Sequence, residues 1–431
     1  MSSLAQAAGA ELDLLLADAD RALARGYPGD RPGRQPVHTV YVPADRYGPD
    51  LPGQWGRQAL QALHQTLPQA ADISGVMGIP LTLASDVQAR VAAKLAREPV
   101  EDLRLDFEDG YGDRGDAAED ADARAAAATL AAETAAGRTP AFCGLRCKSL
   151  EPSTRRRAVA TLDIFIGKLV ARGPLPAGFV LTLPKVTSAD QVRAMSLLCD
   201  RLEAAHGLAA GGLRYEIQAE TPQLILGADG AATIARCLHE GGPRLTGVHY
   251  GTYDYSAALG IAAQYQSMDH PAADHARAVL QVAAAGTGVR LSDGSSNVLP
   301  VGSPDELRAA WRTHARLVRR SLERGFYQGW DLHPAQLASR YAATYGFFLA
   351  GLAVACDRLA AYVSRAAGGT LEEPATARAL AGYLLRGLDC GAVGADEVEA
   401  RTGLDPAALT ALGRAGLSQS GPTNSRDGAR A

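Results

Sequence analysis

Charged and amide side chains recur in the sequence where short apolar runs end. These side chains are Asp106, Glu108, Arg146, Lys148, Lys185, Gln218, Glu220, Asp254 and His333. Carboxylates that lie close together repel one another, and a hard divalent cation with oxygen ligands commonly offsets that repulsion. Arginine adds a planar donor fork that matches a carboxylate. The residue types therefore predict a magnesium site that binds an anionic substrate, and no cluster of His and Cys in the sequence suggests zinc.

Side-chain alternation along the strands indicates which of these groups point to the same face and could meet in one site. In extended chain, alternate residues share a face, which groups Asp106 with Glu108, Arg146 with Lys148, and Glu216 with Gln218 and Glu220. An isolated carboxylate at a strand end is more often a helix cap or an ion-pair partner than a metal ligand. Several such groups at strand ends favour a shared site, and Glu220 taken alone stays ambiguous.

The elements that would position these groups alternate between short β-rich runs and longer helical stretches. Eight candidate strands are His38–Pro43, Leu103–Glu108, Phe142–Cys147, Phe179–Pro184, Arg214–Ala219, Leu245–Gly251, Gly288–Ser292 and Gly329–His333. The candidate helices between and after them are Gln54–Thr66, Asp86–Ala96, Ala117–Ala135, Thr154–Ala171, Ser188–His206, Pro222–Leu238, Pro271–Ala285, Pro304–Arg324 and Ala335–Arg365. This pattern, without a GxGxxG dinucleotide motif, predicts a (β/α)₈ TIM barrel, whose active site lies where the strands end.

The barrel accounts for only part of the chain. We expect an N-terminal helical segment over residues 1–35, the catalytic barrel over 36–340, a helical C-terminal extension over 341–416 and a disordered tail over 417–431. The tail has turn-rich composition, and a helix start is indicated at Asp405-Pro406.

Composition excludes several classes of protein. The 431 residues are 47% hydrophobic and carry a formal net charge of −4, which gives no basic field for nucleic acid. Acidic residues interrupt the N-terminal apolar residues, and the longest apolar run, Gly346–Cys356, is too short to span a bilayer. We therefore expect a cytoplasmic protein without nucleic-acid or membrane partners. The six cysteines form no CxxC pair, so we assign no disulfide.

The motifs at the strand ends occur in a familiar order over about residues 36–340. They read HTVYVPADR, DFEDG, GLRCKS, LPKVTSADQV, IQAETPQLIL, GTYDYSAALG and GFYQGWDLHPAQ. Together they resemble the HpcH/HpaI aldolase and citrate lyase β-subunit-like family of phosphoenolpyruvate/pyruvate-binding barrels, and more distantly malate synthase.

The resemblance implies a role for each matching position. Glu220 and Asp254 match the metal-binding carboxylates, Arg146 matches the arginine that holds the substrate, and the DFED segment matches residues behind them. We expect Arg146, Glu108 and Asp106 to be the catalytic group, and substrate to be bound by Arg146, Lys185, Gln218 and His333. The implied function is a Mg²⁺-dependent (or Mn²⁺-dependent) carbon-carbon lyase, aldolase or condensing enzyme that acts through a metal-stabilised enolate.

The resemblance also implies a small carboxylate or 2-oxo acid as substrate, no nucleotide cofactor and a homo-oligomer such as a trimer. The sequence departs from its relatives at Ala258, at Tyr253 and at Asp109, which stands where the 2-oxo-acid aldolase branch carries histidine. The use of CoA thioesters and the identity of the general acid/base therefore stay open. Two alternatives also stay open: a Schiff-base aldolase that uses Lys148 or Lys185, and a non-catalytic ligand-binding barrel.

Overall fold

The computed structural model describes residues 3–364 and 374–413 of the chain. Its strands are β1 His38–Pro43, β2 Asp102–Asp106, β3 Phe142–Arg146, β4 Phe179–Leu183, β5 Tyr215–Ala219, β6 Leu245–Tyr250, β7 Arg290–Ser292 and β8 Gly329–Asp331. Its α-helices are α1 Ser3–Gly26, α2 Leu51–Thr66, α3 Ala70–Met77, α4 Leu81–Arg97, α5 Asp116–Ala135, α6 Arg155–Val170, α7 Ala189–His206, α8 Pro222–Ile225, α9 Thr233–Gly241, α10 Thr252–Ala258, α11 Pro271–Ala284, α12 Pro304–Glu323, α13 Pro334–Ser364, α14 Pro374–Cys390, α15 Ala395–Thr402 and α16 Pro406–Gly413.

The eight strands form one parallel sheet that curls until its two edges nearly meet. The strand order is β7-β6-β5-β4-β3-β2-β1-β8, and every neighbouring pair is parallel. Two backbone hydrogen bonds bridge the remaining gap, from Asp293 N to Gln328 O (2.8 Å) and from Trp330 N to Gly294 O (3.3 Å). Because parallel strands are covered on both faces, they appear in the sequence as apolar runs. The predicted TIM-barrel fold is confirmed.

The middle of the barrel interior is charged. Arg104 pairs with Asp102 at 2.5 Å and with Glu216 at 2.8 Å, and Glu216 also accepts from His249 Nε2 at 2.7 Å. Trp330 Nε1 completes the chain with a 2.9 Å bond to His249 Nδ1. Burial alone would raise the pKa of the Glu216 carboxyl, but the Arg104 charge and the hydrogen bond from His249 lower it. These paired charges form the floor beneath the carboxyl ends of the strands.

One helix prediction needs correction. The stretch Pro222–Leu238, predicted as one helix, forms the separate helices α8 and α9, because a tight turn interrupts it. In that turn Gly227 N bonds Ala231 O at 2.8 Å, and Gly230 adopts a φ of 76°, which favours glycine. Helix α3 was not predicted at all. The predicted C-terminal tail, 417–431, and the predicted helix end at Arg365 lie outside the described residues.

Helix α13 links the barrel to the C-terminal helices. Among the described residues it is the one helix long and apolar enough, by length and composition, to cross a membrane. The core helix of a folded domain meets the same criteria, and every residue from Pro334 to Gly346 is buried. The helix packs against α2, α4, α12 and α14. We therefore interpret α13 as the eighth barrel helix. The predicted domain boundary at residue 340 falls inside it and stays a prediction.

A buried carboxylate fixes β8 to its surroundings. Asp331 contacts His38 Nδ1 on β1 at 2.8 Å, Arg340 Nη2 on α13 at 3.0 Å and His314 Nε2 on α12 at 3.3 Å. Burial alone would raise the pKa of the Asp331 carboxyl, but Arg340 and the two histidines hold it well below its ordinary value. The carboxylate therefore joins the edge strand β8 to its neighbour β1 and to two helices.

We predict that Asp331→Ala lowers the free energy of unfolding by about 3–5 kcal/mol, because it leaves the Arg340 charge buried without its partner. Urea denaturation measures the change. Asp163→Ala, which removes a 58%-exposed carboxylate paired with His206, is the matched control and should have little effect. Equal stability of the two variants would contradict the role of Asp331.

Candidate active site

Seven of the predicted residues meet at the carboxyl ends of β2 to β6. They come from five consecutive strand ends and the loops that follow: Asp106 and Glu108, Arg146, Lys185, Gln218 and Glu220, and Asp254. Parallel strands bring their carboxyl ends to one mouth of the barrel, so residues far apart in sequence become neighbours.

The Arg146 guanidinium is held in one orientation by Asp106. Nε and Nη2 of Arg146 donate to the two oxygens of Asp106 at 2.7 Å each, a bidentate pair. The same oxygens accept the backbone N–H groups of Glu108 at 3.0 Å and Gly110 at 2.8 Å. A Cβ at Gly110 would lie 2.6 Å from Asp106 Oδ2, so this approach requires glycine. Asp106 is therefore placed to orient Arg146 and not to contact substrate.

The remaining Nη1 of Arg146 faces the centre of the mouth. It lies 3.4 Å from Glu108 Oε2, and it donates to the Gln218 amide at 3.2 Å. The amide in turn donates to Glu220 Oε1 at 3.2 Å. The ring of Tyr41 packs under the guanidinium, 4.8 Å from its central carbon. One donor of Arg146 is thus directed towards Glu108 and, through the Gln218 amide, towards Glu220.

Lys185 joins the carboxylates of three strand ends. Its backbone has a φ of 51°, an uncommon left-handed conformation for a residue other than glycine, and its N–H donates to Glu220 Oε1 at 2.8 Å. Its Nζ lies 2.9 Å from Glu108 Oε1, 3.0 Å from Asp109 Oδ2 and 3.4 Å from Asp254 Oδ2. Such a conformation costs about 1–3 kcal/mol and persists where the surroundings require it.

Negative charge is in excess at the mouth. Three carboxylates, those of Glu108, Asp109 and Asp254, contact the Lys185 ammonium, and a fourth, Glu220, accepts the Lys185 backbone N–H. The charge of Arg146 is already matched by Asp106. Burial raises the pKa of the Glu220 carboxyl to about 8 and that of the Glu108 carboxyl to about 7. The nearby cations lower these values, and neighbouring carboxylates raise them. An additional cation would relieve this repulsion.

The donor set fits magnesium. Within the part of the chain that the structure describes, no three His, Cys, Asp or Glu side chains form a ready-made metal cage. Magnesium commonly uses one or two carboxylates and completes its shell with water and substrate oxygens, so Glu220 and Asp254 suffice. A Cβ at Gly251 would lie 2.6 Å from Glu220 Oε2, and glycine there leaves room for the carboxylate. Asp254 is half exposed and accessible from solvent.

Two predicted residues point elsewhere. Lys148, expected to share a face with Arg146, instead donates to Phe107 O at 2.9 Å and pairs with Glu119 on α5 at 3.1 Å. Strand pairing ends at Arg146, so the alternation does not extend to Lys148. Nδ1 of His333 accepts the backbone N–H of Ala335 at 3.2 Å and caps α13. That contact does not support a substrate-binding role for His333.

Two residues of the site were missed from the sequence. Tyr41 lies under Arg146 and Asp109 contacts Lys185, yet neither was proposed as a site residue. Alternation along β1 places Tyr41 in the barrel interior with Thr39, which was the available signal. Asp109 follows directly after the predicted Glu108, so only the loop conformation turns it towards the lysine.

Comparison with known proteins gives a family and a fold. A family model described as a domain of unknown function (DUF6986) matches residues 16–416. No curated protein matches. Among solved structures, a citrate lyase from Burkholderia xenovorans is 18% identical with a TM-score of 0.56, over 85% of this chain and 96% of that one.

Two other solved structures have lower TM-scores. Haloferax volcanii malate synthase is 14% identical with a TM-score of 0.49, over 88% of this chain and 91% of that one. Protein CitE from Mycobacterium tuberculosis, in complex with magnesium, acetoacetate and coenzyme A, is 17% identical with a TM-score of 0.47, over 83% and 99%. The citrate lyase match confirms the predicted resemblance at the level of the fold.

The raised pKa of Glu220 predicts how the metal-free protein responds to pH. A folded-state pKa near 8, above the ordinary 4.5, means that stability falls as pH rises through this interval. We predict that Glu220→Gln, which keeps the acceptor for Lys185 N, removes this cost. Relative to wild type, the variant should gain on the order of 1–3 kcal/mol of stability between about pH 5 and pH 9. Urea denaturation in the presence of chelator measures the difference.

Magnesium supplies the second arm of this test. Added Mg²⁺ should raise the melting temperature of the wild-type protein near neutral pH, because it binds only the folded state. It should have little effect on Glu220→Gln or Asp254→Asn. A parallel pH dependence of variant and wild type, together with equal Mg²⁺ stabilisation of all three proteins, would refute the assignment of these carboxylates.

Proposed function

The chain belongs to the DUF6986 family, and we propose that it is a magnesium-dependent enzyme that makes or breaks a carbon-carbon bond next to a carboxylate. The observation that carries this proposal is the placement of Arg146. Its guanidinium is fixed by Asp106, and its Nη1 donates to the Gln218 amide, which in turn donates to the Glu220 carboxylate. A rigid anion-binding donor beside oxygen ligands for a divalent cation suits a 2-oxo acid or an acyl carboxylate.

Arg146 would act on the substrate oxygens. Because Asp106 has already fixed the guanidinium, the arginine needs no reorganisation when negative charge develops on the bound substrate. Preorganised donors of this kind are usually the largest electrostatic contribution to catalysis. Tyr41 and Gln218 limit the movement of Arg146 from below and from the side.

Glu220 and Asp254 would hold the cation. When bound, Mg²⁺ would supply Lewis-acid polarisation of a substrate carbonyl or carboxylate oxygen. Lys185 Nζ already lies 3.4 Å from Asp254, and its backbone N–H keeps Glu220 Oε1 in place. The lysine therefore steadies the carboxylates and adds a second positive charge for an anionic substrate.

Glu108 is our candidate for the group that moves the proton. Burial raises the pKa of its carboxyl to about 7, which is the range that suits general acid/base catalysis near neutral pH. One oxygen contacts Lys185 at 2.9 Å, and the other lies 3.4 Å from Arg146. Glu108 can therefore accept a proton within the same cluster that would bind the substrate oxygens.

The Schiff-base alternative has less support from the geometry. The Lys148 ammonium is occupied by backbone carbonyls and Glu119, away from the cluster. Lys185 lies among carboxylates, and although burial lowers the pKa of its ammonium, Glu220 and Glu108 raise it well above its ordinary value. A protonated amine is a poor nucleophile, so neither lysine is prepared to form an iminium.

A ligand screen tests the proposed function. Purified protein is incubated with Mg²⁺ or EDTA and with pyruvate, oxaloacetate, glyoxylate or acyl-CoA thioesters, alone and in pairs, and the products are followed by NMR. We expect turnover of at least one 2-oxo acid or thioester that EDTA abolishes and Mg²⁺ or Mn²⁺ restores. Borohydride trapping of a covalent adduct would favour the Schiff-base alternative. Ligand binding without turnover would favour a non-catalytic barrel.

We predict that Arg146→Lys lowers kcat together with kcat/KM, by on the order of 10²-fold or more. Lysine keeps the charge but cannot form the bidentate pair with Asp106 or present a fixed donor to the substrate. Steady-state kinetics with the substrate found in the screen measures the effect. Arg193→Lys, on the exposed face of α7, is the control. A change confined to KM would mean that Arg146 contributes only to ground-state binding.

A further inference from the structure

A second cavity lies at the opposite end of the barrel from the candidate active site. Its volume is about 250 Å³, and its walls come from the amino-terminal residues of β2 to β7 and from the segment that precedes β1. Asp102 is the first residue of β2, Phe142 the first of β3 and Arg290 the first of β7. The cavity therefore ends at the buried charged layer of the barrel interior, whose residues Asp102, Arg104 and Glu216 form part of its lining.

Five arginines line this cavity, and carboxylates neutralise Arg34 and Arg104. Arg104 pairs with Asp102 and Glu216, which line the same cavity. Arg34 pairs with Glu98 and Glu101 behind the wall, at 2.8 Å and 2.6 Å. The buried Nε of Arg34 nevertheless has no hydrogen-bond partner among the described residues.

Arg31 and Arg214 have no carboxylate partner in the described part of the chain. Nη2 of Arg31 donates to Leu245 O at 2.8 Å and Pro243 O at 3.2 Å, contacts that hold the guanidinium in place without offsetting its charge. Arg214 directly precedes β5 and is exposed at the edge of the cavity. Burial and the Arg214 charge both lower the pKa of the Arg31 guanidinium. The positive charges of Arg31 and Arg214 thus both lie at this cavity.

Arg290 adds a further donor to the same wall. Its Nη2 donates to Gly33 O at 2.7 Å, which ties the segment before β1 to the start of β7. The stem of Arg31 passes close to the backbone at Gly288, where a Cβ would lie 3.1 Å from Arg31 Cγ. Backbone contacts therefore hold Arg31 and Arg290 in the wall of the cavity, and Arg214 lies exposed at its edge.

We propose that this cavity binds a small oxyanion, a carboxylate or a phosphate, between Arg31 and Arg214. The volume is below the roughly 300–1,000 Å³ of pockets for drug-sized ligands, which suits a small metabolite and excludes a polymer. Guanidinium groups match both oxyanions through paired hydrogen bonds. The barrel lies between this site and the mouth, so the oxyanion bound here is a second ligand and not the substrate of the active site.

Calorimetric titration of the full-length protein tests the proposal. The probes are inorganic phosphate and succinate, each titrated at low ionic strength into an Arg146→Ala background that removes the anion-binding arginine of the mouth. We expect one binding event per chain with at least one probe, weakened by added sodium chloride. Binding of phosphate alone would identify a phosphorylated ligand, and binding of succinate alone a carboxylate.

The decisive variant is Arg31→Gln combined with Arg214→Gln. It should weaken binding by on the order of tenfold or more, because two charge-assisted contacts are lost. Arg193→Gln, an exposed arginine on α7 paired with Asp190 and Glu240, should leave the affinity unchanged. If the double variant does not fold, Arg214→Gln alone, at an exposed position, should still weaken binding several-fold.

Two results would overturn the proposal. One is the absence of binding by either probe to the Arg146→Ala protein. The other is an affinity in the folded Arg31→Gln/Arg214→Gln variant, or in Arg214→Gln alone, equal to that of Arg193→Gln. Because the titration measures binding and not turnover, its outcome is independent of whether the mouth catalyses the proposed reaction.

Discussion

The bidentate pair between Asp106 and Arg146 is the interaction on which the barrel mouth depends. It joins the ends of β2 and β3, orients the guanidinium and uses both oxygens of the aspartate. Two backbone N–H groups complete the coordination of that carboxylate. With Asp106 and Arg146 matched, the other carboxylates share the Lys185 charge, and an excess of negative charge results. This imbalance is the physical basis of the cation site that we propose.

Charged side chains occur at three levels along the barrel axis: the mouth, the buried interior and the cavity at the opposite end. Arg104, Glu216 and His249 are buried below the mouth in a network of short ion pairs, and the arginine-lined cavity lies below them. Barrel interiors are usually filled by branched apolar side chains, so this interior is unusual. Buried ion pairs add little net stability compared with apolar packing, but they strongly disfavour alternative arrangements, since any unpaired member would be buried and charged. Such a network therefore contributes more to a single fixed arrangement of side chains than to the free energy of unfolding.

The sequence predicted the barrel and most of the cluster, because parallel strands appear as short apolar runs and because strand ends in this fold share one mouth. The details that it missed depend on backbone conformation. Glu108 N donates to the Asp106 side chain and not to a neighbouring strand, so β2 ends at Asp106 and not at Glu108 as predicted. Strand β3 ends at Arg146, so Lys148 lies beyond the strand and does not follow its side-chain alternation. The left-handed turn at Lys185 has no glycine to signal it. Tyr41 is of a residue type that is common in cores, and only its position beneath the Arg146 guanidinium indicates a role in the site.

Exchange of carbon-bound hydrogen with deuterium reports on the proposed stabilisation of negative charge at the mouth. If Arg146 and the cation site stabilise negative charge next to a carboxylate, the methyl hydrogens of pyruvate or the acetyl hydrogens of a CoA thioester should exchange with deuterium in D₂O. Proton NMR should show enzyme-dependent loss of that signal with Mg²⁺, and no loss with EDTA or with Arg146→Ala. A signal that persists with both compounds, or one that is lost equally in the Arg146→Ala protein, would contradict the account.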